Sequence, residues 1–251
     1  MLIAEIGLNH LGYAFQAQEY IEKLVKTDIE GITLQVREPE YYVNIPKSEY
    51  TLTLEEYTKL TDLIKTNNKK IGIAIADINM IDFFESINID FYKVIRNDML
   101  NDKLIKKLIK TNKKIIVSTG TCSEQEINKF IKKHKSNNIT LNHTQLSHEI
   151  EDCNLLAIQK MKEKYKCNIS FGNHCKDLSV IYMALCYQPL DILFYVKGND
   201  AFINSVSKVD NYPDNEHAIK IDHVDEFIKS IIYIKKAIGT GVKKQMEIKI
   251  K

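Results

Sequence analysis

A carboxylate, a lysine, two strand-end histidines and a polar turn could do chemistry in this sequence if the fold gathers them. Glu5 interrupts the apolar run Leu2-Ile-Ala-Glu-Ile-Gly-Leu8, and Asn9-His10 follow at once. A carboxylate in a buried strand costs on the order of several kcal/mol unless it is paired, hydrogen-bonded or protonated. Glu5 therefore needs a partner or a task. Lys93, in the middle of Phe91-Tyr-Lys-Val-Ile95, poses the same problem with the opposite sign. An inward lysine must meet a carboxylate or an anion, or lose its proton, whereas an outward one snorkels between helices. Glu5 and Lys93 are each other's candidate partners and the candidate catalytic pair. His143 and His174 close two successive apolar runs and make a candidate metal pair, because imidazole suits Mn, Fe or Zn. The bland reading of each is a hydrogen-bonding strand end. Ser118-Thr-Gly120 precedes Ser123, a helix cap. Such a turn can hold a phosphate on backbone N–H groups, or simply turn and cap.

The elements that must position these groups alternate. Strand-like runs cover 2–8, 31–36, 70–76, 91–95, 114–118, 139–143, 167–171 and 191–196. Helical patterns lie between them: 14–27, with Phe15, Tyr20, Ile21, Leu24 and Val25 inward, then 54–67, 79–87, 101–111, 123–135, 154–165, 178–187 and 224–238. Thr53-Leu-Glu-Glu56 reads as a capping box. Such alternation argues a parallel sheet with helices outside, and eight strands close a barrel. A doubly wound open sheet would carry a glycine-rich phosphate turn after its first strand, and Gly7 and Gly12 do not form one. The fold expected is α/β, a single (β/α)8 TIM barrel domain over residues 1–251. In a barrel the polar residues at the C-terminal strand ends meet at one mouth. Those ends offer Glu5, Asn9, His10, Gln35, Arg37, Lys93, Arg96, Asp98, Ser118, His143, His148, His174 and Tyr195.

Composition narrows the classes. Apolar residues make up 44% of 251, enough for a sizeable core, and a net charge of +2 gives no excess for nucleic acid. Five cysteines without CxxC spacing read as reduced thiols of a cytoplasmic protein. No apolar run approaches ~18 residues, so no membrane span is expected, and no signal peptide fits. The excursion 197–220 and the alternating tail 239–251 are not assigned to the barrel.

In order along the chain, Ile3-Ala-Glu-Ile-Gly-Leu-Asn-His-Leu-Gly12, Asp90-Phe-Tyr-Lys93 with Asp98, Lys114-Ile-Ile-Val-Ser-Thr-Gly120, Ile169-Ser-Phe-Gly-Asn-His174 and Glu216-His217 resemble the motifs of the sialic acid synthase family. That family condenses phosphoenolpyruvate with an N-acetylated amino sugar to make nonulosonic acids. The resemblance implies that Glu5 lies near the reacting carbons and that Lys93 binds the phosphoenolpyruvate anion. It implies sugar contacts from Gln35, Asp98 and Glu216, with Asn9, His10 and Ser118 in the same substrate site. His174 would be one of two histidine ligands to a divalent metal, Mn or Mg. The chain departs from the family at Thr33, Ile75, Arg96, Leu146 and Gly172, most of which are phosphoenolpyruvate contacts, and at Val196, where a second metal histidine is expected. Arg96 is a candidate replacement phosphate donor, and His143 or His148 a replacement ligand. No counterpart of the family's C-terminal antifreeze-like domain is expected.

The first functional expectation is thus a cytoplasmic synthase of surface-glycan biosynthesis, forming a homodimer. The alternatives are a non-catalytic homologue that binds a sugar or a partner synthase, and a metal-independent lyase or aldolase in which Lys93 forms a Schiff base.

Overall fold

Isoleucine, valine, leucine and phenylalanine crowd the eight runs that become strands, as suits strands buried on both faces. In the computed structural model, which describes residues 1–43, 50–205 and 211–243, these are β1 (Leu2–Gly7), β2 (Gly31–Val36), β3 (Lys70–Ile75), β4 (Phe91–Val94), β5 (Lys114–Ser118), β6 (Ile139–His143), β7 (Ile169–Gly172) and β8 (Ile192–Lys197). Each pairs in parallel with the next, and β8 returns to β1 in the register Leu2↔Ile192 to Glu5↔Tyr195. That last pairing closes the barrel. The helices are α1 (Ala14–Leu24), α2 (Leu54–Thr66), α3 (Ile81–Ser86), α4 (Asp102–Lys110), α5 (Glu124–Lys133), α6 (Leu156–Tyr165), α7 (Ser179–Ala184), α8 (Asp200–Ser205) and α9 (Val224–Ile238). Thr53 and Ser123 start α2 and α5 through reciprocal capping boxes with Glu56 and Glu126. None of the described helices is long and apolar enough to cross a membrane.

Two apolar regions hold the barrel. Strand residues such as Ala4, Ile6, Ile32 and Leu34 pack with the helices in one continuous ring of core. Ile3, Phe91, Ile116 and Leu193 form a separate interior plug. Gly72 makes that plug fit, because a Cβ there would stand 2.2 Å from the Phe91 ring. Below the plug, buried Asp191 takes hydrogen bonds from Lys114 at 2.6 Å and Ser170 at 2.5 Å. Lys114 and Ser170 hold its carboxyl below the usual aspartate range despite its burial. The interior above the plug is polar and leads to the C-terminal mouth.

Several expected details change. Helix α1 stops at Leu24 rather than Thr27, because the Thr27 hydroxyl caps the Leu24 carbonyl at 2.7 Å and closes the turn. Phe15 is not inward; it is 61% exposed and packs against Tyr13 and Phe202. The excursion after β8 contains α8 and a short strand β9 (Ile219–Lys220), which extends β8 through Val196↔Ile219. The strand-like pattern read from 239 onward lies mostly outside the described residues.

Candidate active site

The floor of the site is an ion pair across the barrel: Lys93 of β4 donates to Glu5 of β1. Their side chains are 3% and 1% exposed. Strand alternation explains the meeting. Glu5 shares the inward face with Ile3, and Lys93 with Phe91. The second Glu5 oxygen, Oε1, accepts no hydrogen bond, nor does the neighbouring Thr33 hydroxyl. Tyr195, paired with Glu5 in register, sets its ring 5.3 Å from the Lys93 ammonium. Burial, with the carboxylates of Glu5 and Asp214, raises its hydroxyl well above the ordinary tyrosine range. Gly7 sits at φ +58° after an irregularity in β1, and a Cβ there would lie 3.0 Å from Asp214 Oδ2 and 3.1 Å from the Tyr195 ring. Its bare Cα lets both side chains approach the strand end.

One wall is built from imidazoles. His174 follows β7 and is hydrogen-bonded through Nδ1 to the Thr144 hydroxyl at 2.9 Å. His148, in the loop after β6, donates from Nδ1 to the His174 carbonyl at 2.7 Å. His217 comes from the excursion after β8. Its ring centroid lies 4.8 Å from that of His174 and 5.1 Å from that of His148, and neither of its ring nitrogens has a hydrogen-bond partner. Burial, then the neighbouring histidines and Lys93, pushes His217 down to about 3 and His174 well below the histidine range, so both rings are neutral at pH 7. Asp214 Oδ1 is 3.7 Å from His217 Nε2. Burial and then the Glu5 charge raise the Asp214 carboxyl to about 7.

The opposite wall is cationic. Arg37 is 4% exposed, grips Glu38 through two bonds of 2.9 and 2.6 Å, and lies 4.3 Å over the Tyr41 ring. Arg96 caps β4 in the left-handed region at φ +50° and forms no ion pair with the described residues. A non-glycine residue held there stores backbone strain, a feature concentrated at ligand sites. These walls, with Gln35, Ser118 and Leu146, enclose a cavity of about 430 Å³, within the range of small-molecule sites.

The structure gathers Gln35, Lys93, Arg96, Ser118 and His174 around this cavity, with Glu5 behind Lys93. It sends the other expected residues elsewhere. Asn9 is fully buried and works as a clamp, donating to the Val196 carbonyl at 2.8 Å and accepting from the Asp214 N–H at 3.1 Å. His10 accepts the Gly12 N–H at 3.0 Å beneath the rim, and burial lowers its pKa to about 4. Asp98 is half-buried in the turn after β4 and does not line the cavity; burial raises its carboxyl. Glu216 is exposed, and Asp214 stands in the cavity wall instead. His143 does not join His174. It alternates outward from Asn142, donates to the Cys153 carbonyl at 3.0 Å and packs on Phe171. Val196 likewise faces the helix-side core. In the polar turn, the Thr119 N–H and hydroxyl both go to the Asn142 carbonyl, so Thr119 has neither left for a phosphate. Asp214 is the residue that strand-end reading missed. Its only local signal is Pro213-Asp214, with His217 three residues on, in a stretch that reads as a polar loop.

His217 has buried, unpartnered nitrogens, and His148 and His174 are each fixed through Nδ1. No group of three or more His, Cys, Asp or Glu side chains among the described residues is placed to hold a metal ion.

The NeuB family model matches residues 14–188 of the chain, more than half of its 251 residues. The chain belongs to the NeuB family. Its relatives within reach include the N,N'-diacetyllegionaminic acid synthase of Campylobacter jejuni, 25% identical over 97% of this chain and 79% of the relative. The N-acetylneuraminate-9-phosphate synthase of Drosophila melanogaster is 24% identical over 72% of this chain and 55% of the relative. Among solved structures, the N-acetylneuraminic acid synthetase of Leptospira borgpetersenii, crystallised with citrate, superposes with a TM-score of 0.85 at 23% identity. It covers 98% of this chain and 87% of that one. That likeness fixes the NeuB-type barrel as the fold.

Proposed function

We propose that this protein is a sugar-acid synthase that condenses phosphoenolpyruvate with an N-acetylated amino sugar, releasing inorganic phosphate. The buried Glu5–Lys93 pair at the floor of a cavity walled by Arg96 and imidazoles carries this reading. In the proposed reaction the enol carbon of phosphoenolpyruvate attacks the aldehyde carbon of the open-chain sugar. Water adds to the carbon that bears the phosphate ester, and phosphate leaves as the 2-oxo acid forms. Lys93 and Arg96 hold the anion, and charge-assisted hydrogen bonds to it are about twice as strong as neutral ones. Glu5 stands beside the reacting carbons, with Oε1 free to accept a proton or a sugar hydroxyl. Asp214, a half-buried acid poised near neutral pH, can share a proton with the developing alkoxide. His174 would be a ligand to a divalent metal, which would supply Lewis-acid polarisation of the aldehyde. By name these relatives are synthases of N,N'-diacetyllegionaminic acid and N-acetylneuraminate 9-phosphate, which supports an N-acetylated hexosamine as acceptor. A cytoplasmic homodimer goes with this reading.

The experiment supplies phosphoenolpyruvate, Mn²⁺ and a panel of N-acetylated hexosamines, and measures phosphate release together with product mass. Turnover abolished by Glu5→Gln is expected. No turnover with any member of the panel, with phosphoenolpyruvate binding unchanged in Lys93→Met, overturns the proposal. Borohydride trapping with pyruvate tests the Schiff-base alternative, which would first have to break the Glu5–Lys93 pair; an adduct on Lys93 would replace the present reading.

A further inference from the structure

We infer that Asn142 is a substrate-contacting residue: its carboxamide, beside the Ser118 hydroxyl, forms a subsite for a phosphoryl group that keeps a hydroxyl. Naming that group as the phosphate released in the reaction rests on the synthase reading. The subsite itself does not, because inorganic phosphate binds or fails to bind without turnover.

An open amide carries the inference. Asn142 points inward from β6 and is fully buried, yet neither its Nδ2 nor its Oδ1 has a hydrogen-bond partner. No other carboxamide among the described residues is buried with both ends unpartnered. Native interiors pair almost all such groups, so an amide held open at both ends needs an occupant. Its backbone is fixed, since the Asn142 carbonyl accepts the Thr119 N–H at 3.1 Å and the Thr119 hydroxyl at 3.0 Å. On one side its register partner is Ser118, which lines the cavity. Paired strands lie about 4.8 Å apart, so two side chains on the same face can reach one small group. Its other register partner, Ser170, is already committed to Asp191 at 2.5 Å and offers nothing from below. Beside the amide stands Gly172, where a Cβ would lie 2.6 Å from Nδ2 and 3.3 Å from Oδ1. The bare glycine leaves the amide room to turn about its soft terminal torsion. Burial without partners is not enough by itself. The Thr61 hydroxyl shares that condition, but on helix α2 outside the barrel.

The chemistry of the two free ends selects the occupant. A carboxamide offers a donor and an acceptor side by side. A fully ionised anion such as sulfate can use the Nδ2 donor, but it sets another oxygen against Oδ1. Inorganic phosphate at neutral pH keeps a P–OH, so it can accept from Nδ2 and donate to Oδ1 together. Ser118 and the Lys93 ammonium, on the same inward surface, then face its remaining oxygens. A phosphoryl group that has left carbon and taken up a proton is the species this arrangement fits.

The test is calorimetry on the full chain at pH 7 with inorganic phosphate, sulfate and phosphoenolpyruvate, and no acceptor sugar. Wild-type protein should bind phosphate at least about 10-fold more tightly than sulfate, the effect of pairing Oδ1 rather than leaving it opposed. Phosphate should also displace phosphoenolpyruvate. Asn142→Leu keeps the branched shape and removes an unpartnered amide. It should hold its melting temperature, weaken phosphate at least about 10-fold and erase the preference over sulfate. Thr61→Val, which removes the other buried hydroxyl, should leave every anion affinity unchanged. A purely structural amide gives the reverse in Asn142→Leu, a lower melting temperature with phosphate affinity unchanged, and that result overturns the assignment. Equal binding of phosphate and sulfate by the wild type overturns it too, as does phosphate that fails to compete with phosphoenolpyruvate. Should Asn142→Leu not fold, the side-chain amide NMR signal of Asn142 in wild-type protein decides: it should shift on saturation with phosphate, and a signal that stays in place refutes the subsite. Asn142-dependent phosphate binding in a protein that turns over no sugar would sink the synthase reading alone. Turnover with phosphate binding indifferent to Asn142 would sink the subsite alone.

Discussion

Removing one partner of the Glu5–Lys93 pair should damage the fold more than removing both. The two side chains are 1% and 3% exposed, with no bulk water to take over solvation of a lone charge. Breaking a buried ion pair typically costs about 3–5 kcal/mol, whereas replacing both charges with neutral groups of similar size is often close to neutral. Glu5 Oε1 and the adjacent Thr33 hydroxyl already lack partners, so the surroundings offer little compensation. Lys93→Met should therefore lower the unfolding free energy by about 3–5 kcal/mol. Glu5→Gln retains a hydrogen-bonding group and should fall nearer the lower end of that range. The double variant should recover at least about 2 kcal/mol relative to the sum of the singles, since residues in contact couple by about 0.5–3 kcal/mol. Urea unfolding of all four proteins, with a common m-value, makes the measurement. Single variants costing under about 1 kcal/mol each, combined additively, would refute the reasoning: the pair would then be solvated and the polar interior above the plug misread.

Acid should destabilise the protein through His10. Its folded pKa of about 4 lies below the ordinary 6.5, so the unfolded chain takes up the proton first as pH falls. The His10 contribution is complete above about pH 6.5 and is lost progressively down to about pH 4, amounting to about 3 kcal/mol. The pH slope of stability from urea melts across that window should become shallower in His10→Gln, the remaining slope coming from His174 and His217. Gly72→Ala forces a methyl to within 2.2 Å of the Phe91 ring; overpacking of this kind costs about 1–3 kcal/mol, read as a lowered melting temperature. Arg96→Met should weaken phosphoenolpyruvate binding at least about 10-fold in calorimetry, the loss of one charge-assisted hydrogen-bond partner, with little change in stability because the residue is exposed. Asn9→Ala removes both bonds of a buried clamp and should cost about 2 kcal/mol or more in unfolding free energy; an unchanged melt would show that the β8 excursion is held by other contacts.

The barrel was legible because periodicity is a local signal. Strands β2, β5 and β6 begin and end where their apolar runs do, and α2 and α5 begin where Thr53 and Ser123 announce them. Glu5 and Lys93 were legible as a pair for a different reason. Each was a charge in an apolar strand, and two such charges of opposite sign in one barrel have few other partners. The excursion after β8 was not legible, because α8 and the two-residue β9 are too short to carry a period. Asp214 lies in that excursion, and a strand-end search passes over it.

By itself the sequence determined the eightfold alternation, the inward charges, the capping boxes and the family motifs, all of which depend on residues near each other in the chain or on strict spacing. Facing decided the rest. His143 and His174 both end strands, but one turns outward to the Cys153 carbonyl while the other meets His148 and His217. His143 is fixed on the outer face by alternation within β6, while His174 lies two residues beyond β7, in the loop that turns into the mouth. Only the closed barrel, with Gly7 leaving room for Asp214 and Asn9 holding that aspartate's backbone, brings a loop some two hundred residues distant against the first strand.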